Sequence, residues 1–302
     1  MSGGNASRIS YFLKKETVCP ACDTQFFRED ILTGRGRLIA GDLTDELRRL
    51  YEPSQKYGEV VPLIYPVVVC PGCYYAALQN DFESIPAPSV EKINDDTDER
   101  IRSVQNVFPD LDYREPRSLP EGAASYYLAA RCYDAFPKES SPSIKQGISA
   151  IRTAWLCSDL HRKAPEENYD YLSLVFYRKA RFFYQQSIEY EQSGEEAIAN
   201  AGHLGPDVDN NYGFDGVLYL SAYLEYHHGS KKNVEQRIGH LQRVKPIVAR
   251  LFGMGKASKQ KPSAILDKSR DLHTTIREEL ESFDADDDEN DDADAGDSEI
   301  DS

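Results

Sequence analysis

Four of the six cysteines occupy two matching turns, Cys19-Pro20-Ala21-Cys22 and Cys70-Pro71-Gly72-Cys73. In a C-P-x-C turn, the two-residue spacing lets both sulfurs approach one ion, and backbone N–H groups of the turn point toward them. Two such turns supply four thiolates, which complete a tetrahedral site that selects zinc or iron. The pattern therefore predicts one structural Zn²⁺ bound by Cys19, Cys22, Cys70 and Cys73.

The alternative interpretation of these cysteines is a thiol-based redox or metal-responsive regulator. A strand running into Cys70 and a helix after Cys73 would resemble a thioredoxin-like redox motif. One redox pair needs no second copy, however, and four filled ligand positions leave no open position for catalysis. We therefore favour the structural metal site.

The other reactive residues form no pattern typical of catalysis. Cys132 and Cys157 stand among apolar residues of predicted helices, where buried and inert thiols are expected. The adjacent His227 and His228 belong to no metal-binding motif, and Gly34–Arg37 lacks the strand-turn-helix context of a phosphate loop. Because no nucleophile–base motif occurs either, we expect a protein that is not an enzyme.

The charge of the chain is concentrated at its C-terminal end. Residues 284–302 hold eleven acidic and no basic residues, out of a formal net charge of −16. Such a segment buries too little apolar surface to fold, so a disordered acidic tail is predicted. Residues 1–60 carry nine basic and nine acidic residues, which gives no strong signal for nucleic-acid binding.

The sequence predicts a cytoplasmic protein with no membrane span. Residues 1–18 contain no continuous apolar core of the kind found in signal peptides. The most apolar stretch, Val60–Val69, is half as long as a membrane span and is interrupted by Pro62 and Pro66.

Periodicity and composition divide the chain into four predicted parts. Residues 1–83 form a small α/β head, with a β-rich run at Ile64–Val69 and a short helix at Asp42–Tyr51. Residues 84–120, rich in proline and acidic residues, are predicted to be a linker that is helical in part. Residues 121–283 are predicted to be helical, and residues 284–302 are the tail.

The helical part is expected to form an antiparallel array. A tetratricopeptide-like repeat phased on Gly229 places Ala222 at the small-residue position and Pro246 at the terminal proline position. The fold class is therefore mainly α, and the only tryptophan, Trp155, is predicted to be buried. Helices are predicted at 126–133, 144–156, 217–228, 233–252 and 262–283, and a long one is predicted from residue 172 to near Gly194.

These residues resemble those of the bacterial domain of unknown function 2225 family. The resemblance rests on both cysteine turns, on Ala154-Trp155-Leu156 and on Ser269-Arg270-Asp271, and it covers most of residues 17–280. The chain differs at Val61, where the family tends to have Asn, and at Tyr74, which replaces a glycine. The resemblance implies a zinc-ribbon-like head and a tetratricopeptide-like body but no established activity.

Together these observations predict a non-catalytic zinc-binding protein that acts as a protein–protein interaction scaffold. The helical part alone, residues 121–283, is expected to bind a protein partner, because helical arrays present extended binding surfaces. The partner remains unknown. Candidate anchors on that surface are the tyrosines Tyr126, Tyr219, Tyr223 and Tyr226.

Overall fold

The computed structural model describes residues 8–253 and 262–295, with side chains described as far as Asp284. The chain divides into two compact units, Met1–Phe214 and Asp215–Ser302. The protein is mainly helical, as predicted. In the part that the structure describes, no helix combines the length and apolar character required to cross a membrane.

The first unit begins with four separate two-stranded antiparallel sheets. An isolated pair of such short strands is marginally stable in water, so each pair depends on its packing or on a bound ligand. The pairs are β1 (Ser10–Phe12) with β4 (Glu29–Ile31), β2 (Thr17–Val18) with β3 (Gln25–Phe26), β5 (Ile39–Leu43) with β6 (Arg49–Glu52), and β7 (Val67–Val69) with β8 (Ala76–Leu78).

Six complete α-helices follow in the described part of the first unit, and local sequence signals set their ends. Ser118 and Glu121 form a capping box at the start of α4, and Gly194, with φ of 78°, ends α6 in the left-handed conformation. The six helices are α1 (Gln79–Glu83), α2 (Ala87–Asp95), α3 (Thr97–Gln105), α4 (Leu119–Cys132), α5 (Pro142–Lys163) and α6 (Tyr169–Ser193).

Helix α5 is the centre of the first unit. It packs against both α4 and α6, and 18 of its 22 residues are buried. Trp155 is 2% exposed, which confirms its predicted burial. Its indole N–H donates to the carboxylate of Glu46, which also accepts a 2.9 Å hydrogen bond from the hydroxyl of Tyr177.

The segment Asp42–Tyr51, predicted to be a helix, is instead the β5–β6 hairpin. Its turn reaches α5, where the guanidinium of Arg48 donates to the carboxylate of Asp159 at 3.1 Å. Leu47 has φ of 59° at the turn and is completely buried, whereas Leu50 is 39% exposed. Leu43, Leu47 and Leu50 have the spacing of one helical face, which is the basis of the helix prediction, but they lie in β5, in the turn and in β6, and only Leu47 is fully buried.

The predicted boundaries at residues 83 and 120 differ from the observed division. The segment 84–120, predicted to be a linker, contains α2 and α3, which bury Ile93, Arg100 and Val104. The strands also contact the helices directly, since the N–H of Ala76 in β8 donates to the sulfur of Cys132 in α4 at 3.4 Å. Strands and helices belong to one unit, so a fragment of residues 121–283 would lose part of the core.

The second unit contains most of α7 (Gly213–His228), with α8 (Val234–Phe252) and α9 (Ser263–Ala295). Helices α8 and α9 pack together, and Arg237 pairs with Glu279 at 2.7 Å. Pro246, expected at the end of a repeat, lies inside α8.

The predicted start of the disordered tail at Asp284 does not coincide with the end of α9. That helix continues to Ala295, and residues 296–302 lie outside the described residues. Extending a helix that has already formed costs less than nucleating a new one, so the acidic residues can continue α9.

We expect Gly122→Ala to lower the free energy of unfolding by about 1–3 kcal/mol, because the added methyl group would overlap the side chain of Ile64. Gly239→Ala is the matched control. It lies inside α8 with open space around the new methyl group, and it should raise stability by up to about 1 kcal/mol. Urea denaturation followed by far-UV circular dichroism measures both effects, and equal midpoints for Gly122→Ala and the wild type would contradict this packing.

Candidate metal centre

Each C-P-x-C turn forms the tip of a β-hairpin. The first turn connects β2 to β3, and the second connects β7 to β8. In the first hairpin the N–H of Cys19 donates to the carbonyl of Thr24 at 2.9 Å, and in the second the N–H of Cys70 donates to the carbonyl of Tyr75 at 2.9 Å. The same type of backbone hydrogen bond therefore occurs in both turns, and in each it joins two residues that are five positions apart in the sequence.

The residue after the second cysteine of each turn adopts the left-handed conformation. Asp23 has φ of 59° and Tyr74 has φ of 57°. Aspartate tolerates this region better than most residues, whereas a bulky side chain is strained there. Tyr74 is held by an edge-to-face contact with Tyr113, at 5.7 Å between ring centroids. The resemblance leads us to expect glycine at position 74. The positive φ of this position explains that expectation, because glycine adopts positive φ without strain.

The four sulfurs lie close enough to share one ion. The Sγ atoms of Cys19 and Cys73 are 3.7 Å apart, those of Cys22 and Cys70 are 3.6 Å apart, and all four lie within 4.8 Å of one another. Metal–sulfur bonds of about 2.3 Å in a tetrahedron place the sulfurs about 3.8 Å apart. The arrangement fits a single tetrahedral ion.

Contacts within and between the two turns fix their geometry. Within the second turn, the N–H of Gly72 donates to the sulfur of Cys70 at 3.4 Å. A side chain at Gly72 would overlap Thr24 of the other turn, so the second turn needs glycine where the first has Ala21. The hydroxyl of Thr24 in turn lies 3.2 Å from the sulfur of Cys22.

The cluster stabilises one thiolate at the expense of its neighbours. Hydrogen bonds from the thiols of Cys19 and Cys73 hold the pKa of Cys70 well below its usual range, whereas hydrogen bonding within the cluster and burial raise the pKa of Cys19 and of Cys73. Cys19, Cys70 and Cys73 are buried, whereas Cys22 is exposed. Within the described residues, this is the only group of three or more His, Cys, Asp or Glu side chains placed to hold an ion.

A buried arginine, not identified from the sequence, lies directly behind the cluster. Arg100 is 0% exposed, and its Nε and Nη2 atoms donate to the carbonyl of Cys73 at 3.2 and 2.7 Å. Its Nη1 atom donates to the carbonyl of Ile93 at 2.8 Å and lies 3.5 Å from the carboxylate of Asp96. This cation can partly balance the negative charge of four thiolates.

The remaining residues singled out from the sequence lie outside the cluster. Burial raises the pKa of Cys132 to about 11 and that of Cys157 to about 12, so both are poor nucleophiles near neutral pH. The sulfur of Cys132 accepts a hydrogen bond from the N–H of Ala76 at 3.4 Å. Residues 34–37 form a turn between β4 and β5, and His227 and His228 lie on α7.

Comparison with known proteins places the chain in a family. The sequence model of a family described as an uncharacterized protein conserved in bacteria (DUF2225) matches residues 12–276. An uncharacterized protein of Borreliella burgdorferi is 42% identical over 277 residues, which cover 91% of this chain and 99% of that protein. No solved structure matches significantly. The chain therefore belongs to this bacterial family.

Proposed function

Because its family has no assigned activity, we propose the function of this protein from its site. We infer a non-catalytic zinc-binding protein that uses its helices as a scaffold for protein–protein interaction. The observation that carries the proposal is the closed cluster of four thiols, joined by Arg100 to helix α3. The metal would then hold the short hairpins and the helices in one arrangement.

Zinc is the ion that the cluster fits best. Four thiolates in a tetrahedron are typical of structural zinc sites, and Zn²⁺ has no redox chemistry to control. A strand pair of two residues each, such as β2–β3, has little stability of its own. A structural zinc ion can supply roughly 10 kcal/mol or more of binding free energy to such a fold.

The non-catalytic part of the proposal rests on the number of donors. Catalytic zinc sites usually have three protein ligands and an open fourth position for water or substrate. Here Cys19, Cys22, Cys70 and Cys73 fill all four positions. A structural role follows from this coordination.

The scaffold part of the proposal is supported by helix α6. Its residues Tyr171, Leu174 and Phe182 are 63%, 39% and 54% exposed and lie on one helical face. Exposed apolar residues grouped in this way mark interaction surfaces more often than scattered ones do. By contrast, Tyr126 and Tyr219, two of the anchors suggested from the sequence, are buried and cannot serve as anchors.

A second candidate function is a redox-responsive metal site, and the exposure of Cys22 favours it. Hydrogen peroxide could take two electrons from the thiolates of Cys22 and Cys70, whose sulfurs are 3.6 Å apart. A disulfide would form, the peroxide would be reduced to two hydroxide ions, and the metal would leave.

Protein purified without oxygen should contain about one zinc ion per chain, and Cys70→Ser should lose that ion because no substitute thiol lies nearby. Cys132→Ala is the control, since Cys132 is a buried thiol outside the cluster, and it should retain zinc. Elemental analysis by mass spectrometry measures the zinc content of the wild type and of both variants.

Wild-type protein with iron or no metal would refute the zinc assignment. Stoichiometric zinc release by peroxide, with a disulfide formed at Cys22, would support the redox candidate.

Partner capture tests the scaffold. Crosslinking in the native cell, followed by purification and mass spectrometry, should recover a protein partner with the wild type. Phe182→Glu should abolish that recovery, because it places a charge on the exposed face of α6. Phe27→Glu is the matched control, since Phe27 is similarly exposed at 45% but lies among the strands, and it should leave recovery unchanged. Equal recovery with both variants would place the interaction elsewhere.

A further inference from the structure

A cavity of 570 Å³ lies in the first unit between helices α2, α4, α5 and α6. Its volume is in the range typical of ligand-binding clefts. Aromatic rings and charged groups share its wall. Those that matter here are Tyr127, Phe176, Phe183, Asp96, Arg131 and Lys179, and we call this cavity the α6 groove.

The apolar wall of the α6 groove continues onto the outer surface. Within the groove, the rings of Tyr127 and Phe176 meet edge to face, with centroids 5.7 Å apart. At one side, the ring of Phe183 contacts the exposed ring of Phe182, with centroids 5.2 Å apart. The apolar surface is therefore longer than the cavity itself and fits an extended chain better than a small molecule.

One acidic group in the wall, the carboxylate of Asp96, is already neutralised by neighbouring arginines. The carboxylate of Asp96 accepts hydrogen bonds from the guanidinium of Arg131 at 2.8 and 2.6 Å and lies 3.5 Å from Arg100. Hydrogen bonds from Arg131 lower the pKa of Asp96, so this residue is ionised and paired. Lys92 and Asp134, which also line the wall, carry opposite charges that cancel.

Lys179 supplies the positive charge that remains. Its ammonium group lies 5.2 Å from the centroid of Phe176, and it has no carboxylate partner among the residues that the structure describes. Partial burial and the nearby Arg131 cation lower the pKa of Lys179, because no carboxylate offsets the cost of its positive charge. The wall is therefore net cationic, with Lys92, Arg131 and Lys179 against Asp96 and Asp134.

We propose that the α6 groove binds an acidic peptide segment of a partner protein. A carboxylate of the peptide pairs with Lys179, and an aromatic or aliphatic side chain packs against the half-buried rings of Tyr127 and Phe183. Apolar anchors supply most of the affinity at such a site, and the charge pair selects acidic sequences. This inference rests on the proposed scaffold function and names the chemistry of its partner.

The test is selection of a displayed random peptide library on full-length, zinc-loaded protein. Enriched peptides should combine Asp or Glu with a large apolar residue. The enriched peptides are then synthesised, and fluorescence anisotropy gives their affinities. Lys179→Glu should weaken binding roughly tenfold or more, because it replaces an attraction with a repulsion. Lys15→Glu changes an exposed lysine outside the groove by the same charge and should have no effect.

Each other outcome overturns a defined part of this account. No enrichment, enrichment of basic or uncharged peptides, or acidic peptides whose affinity is unchanged by Lys179→Glu would reject the α6 groove as the site. Partner capture that depends on Phe182 would leave the scaffold function standing in that case. Conversely, Lys179-dependent binding by a protein found to contain no zinc would support the groove and reject the zinc-stabilised scaffold.

Discussion

The hydrogen bonds from Arg100 to the carbonyl of Cys73 connect the cysteine hairpins of the first unit to its helices. A fully buried guanidinium is costly unless its N–H groups are paired. Arg100 meets this requirement with the carbonyls of Cys73 and Ile93 and with the carboxylate of Asp96. The second cysteine turn must therefore hold its position for α2 and α3 to pack. Asp96 extends the same network to Arg131, so the four-cysteine cluster and the α6 groove share one set of contacts.

Features with local sequence signals were predicted well. Each cysteine turn brings its own two sulfurs together, because a two-residue spacing determines the local geometry with little help from the rest of the chain, and packing of Gly72 against Thr24 brings the two pairs together. Helices α5 and α6 follow from long apolar periodicity, and Gly194 ends α6 as expected. Trp155 is buried in the helix that its apolar neighbours predicted.

Features that depend on tertiary contacts were missed or wrong. Asp42–Tyr51 has helical leucine spacing but forms a hairpin, because Glu46 and Arg48 in its turn bind side chains of α5. The proline-rich segment 84–120 looked like a linker, yet its α3 carries Arg100. Nothing in a single sequence distinguishes this arginine from a solvated one, since its acceptors are backbone carbonyls 7 and 27 residues away.

Hydrogen exchange with and without a chelator tests most directly whether the proposed metal centre supports the helices through Arg100. We predict that removing the metal increases amide exchange at both cysteine turns and also throughout α2 and α3, because Arg100 loses its position against Cys73. Helix α5, buried between α4 and α6, should remain protected. Exchange that increases only at residues 19–24 and 70–75, with α2 and α3 unchanged, would contradict the account.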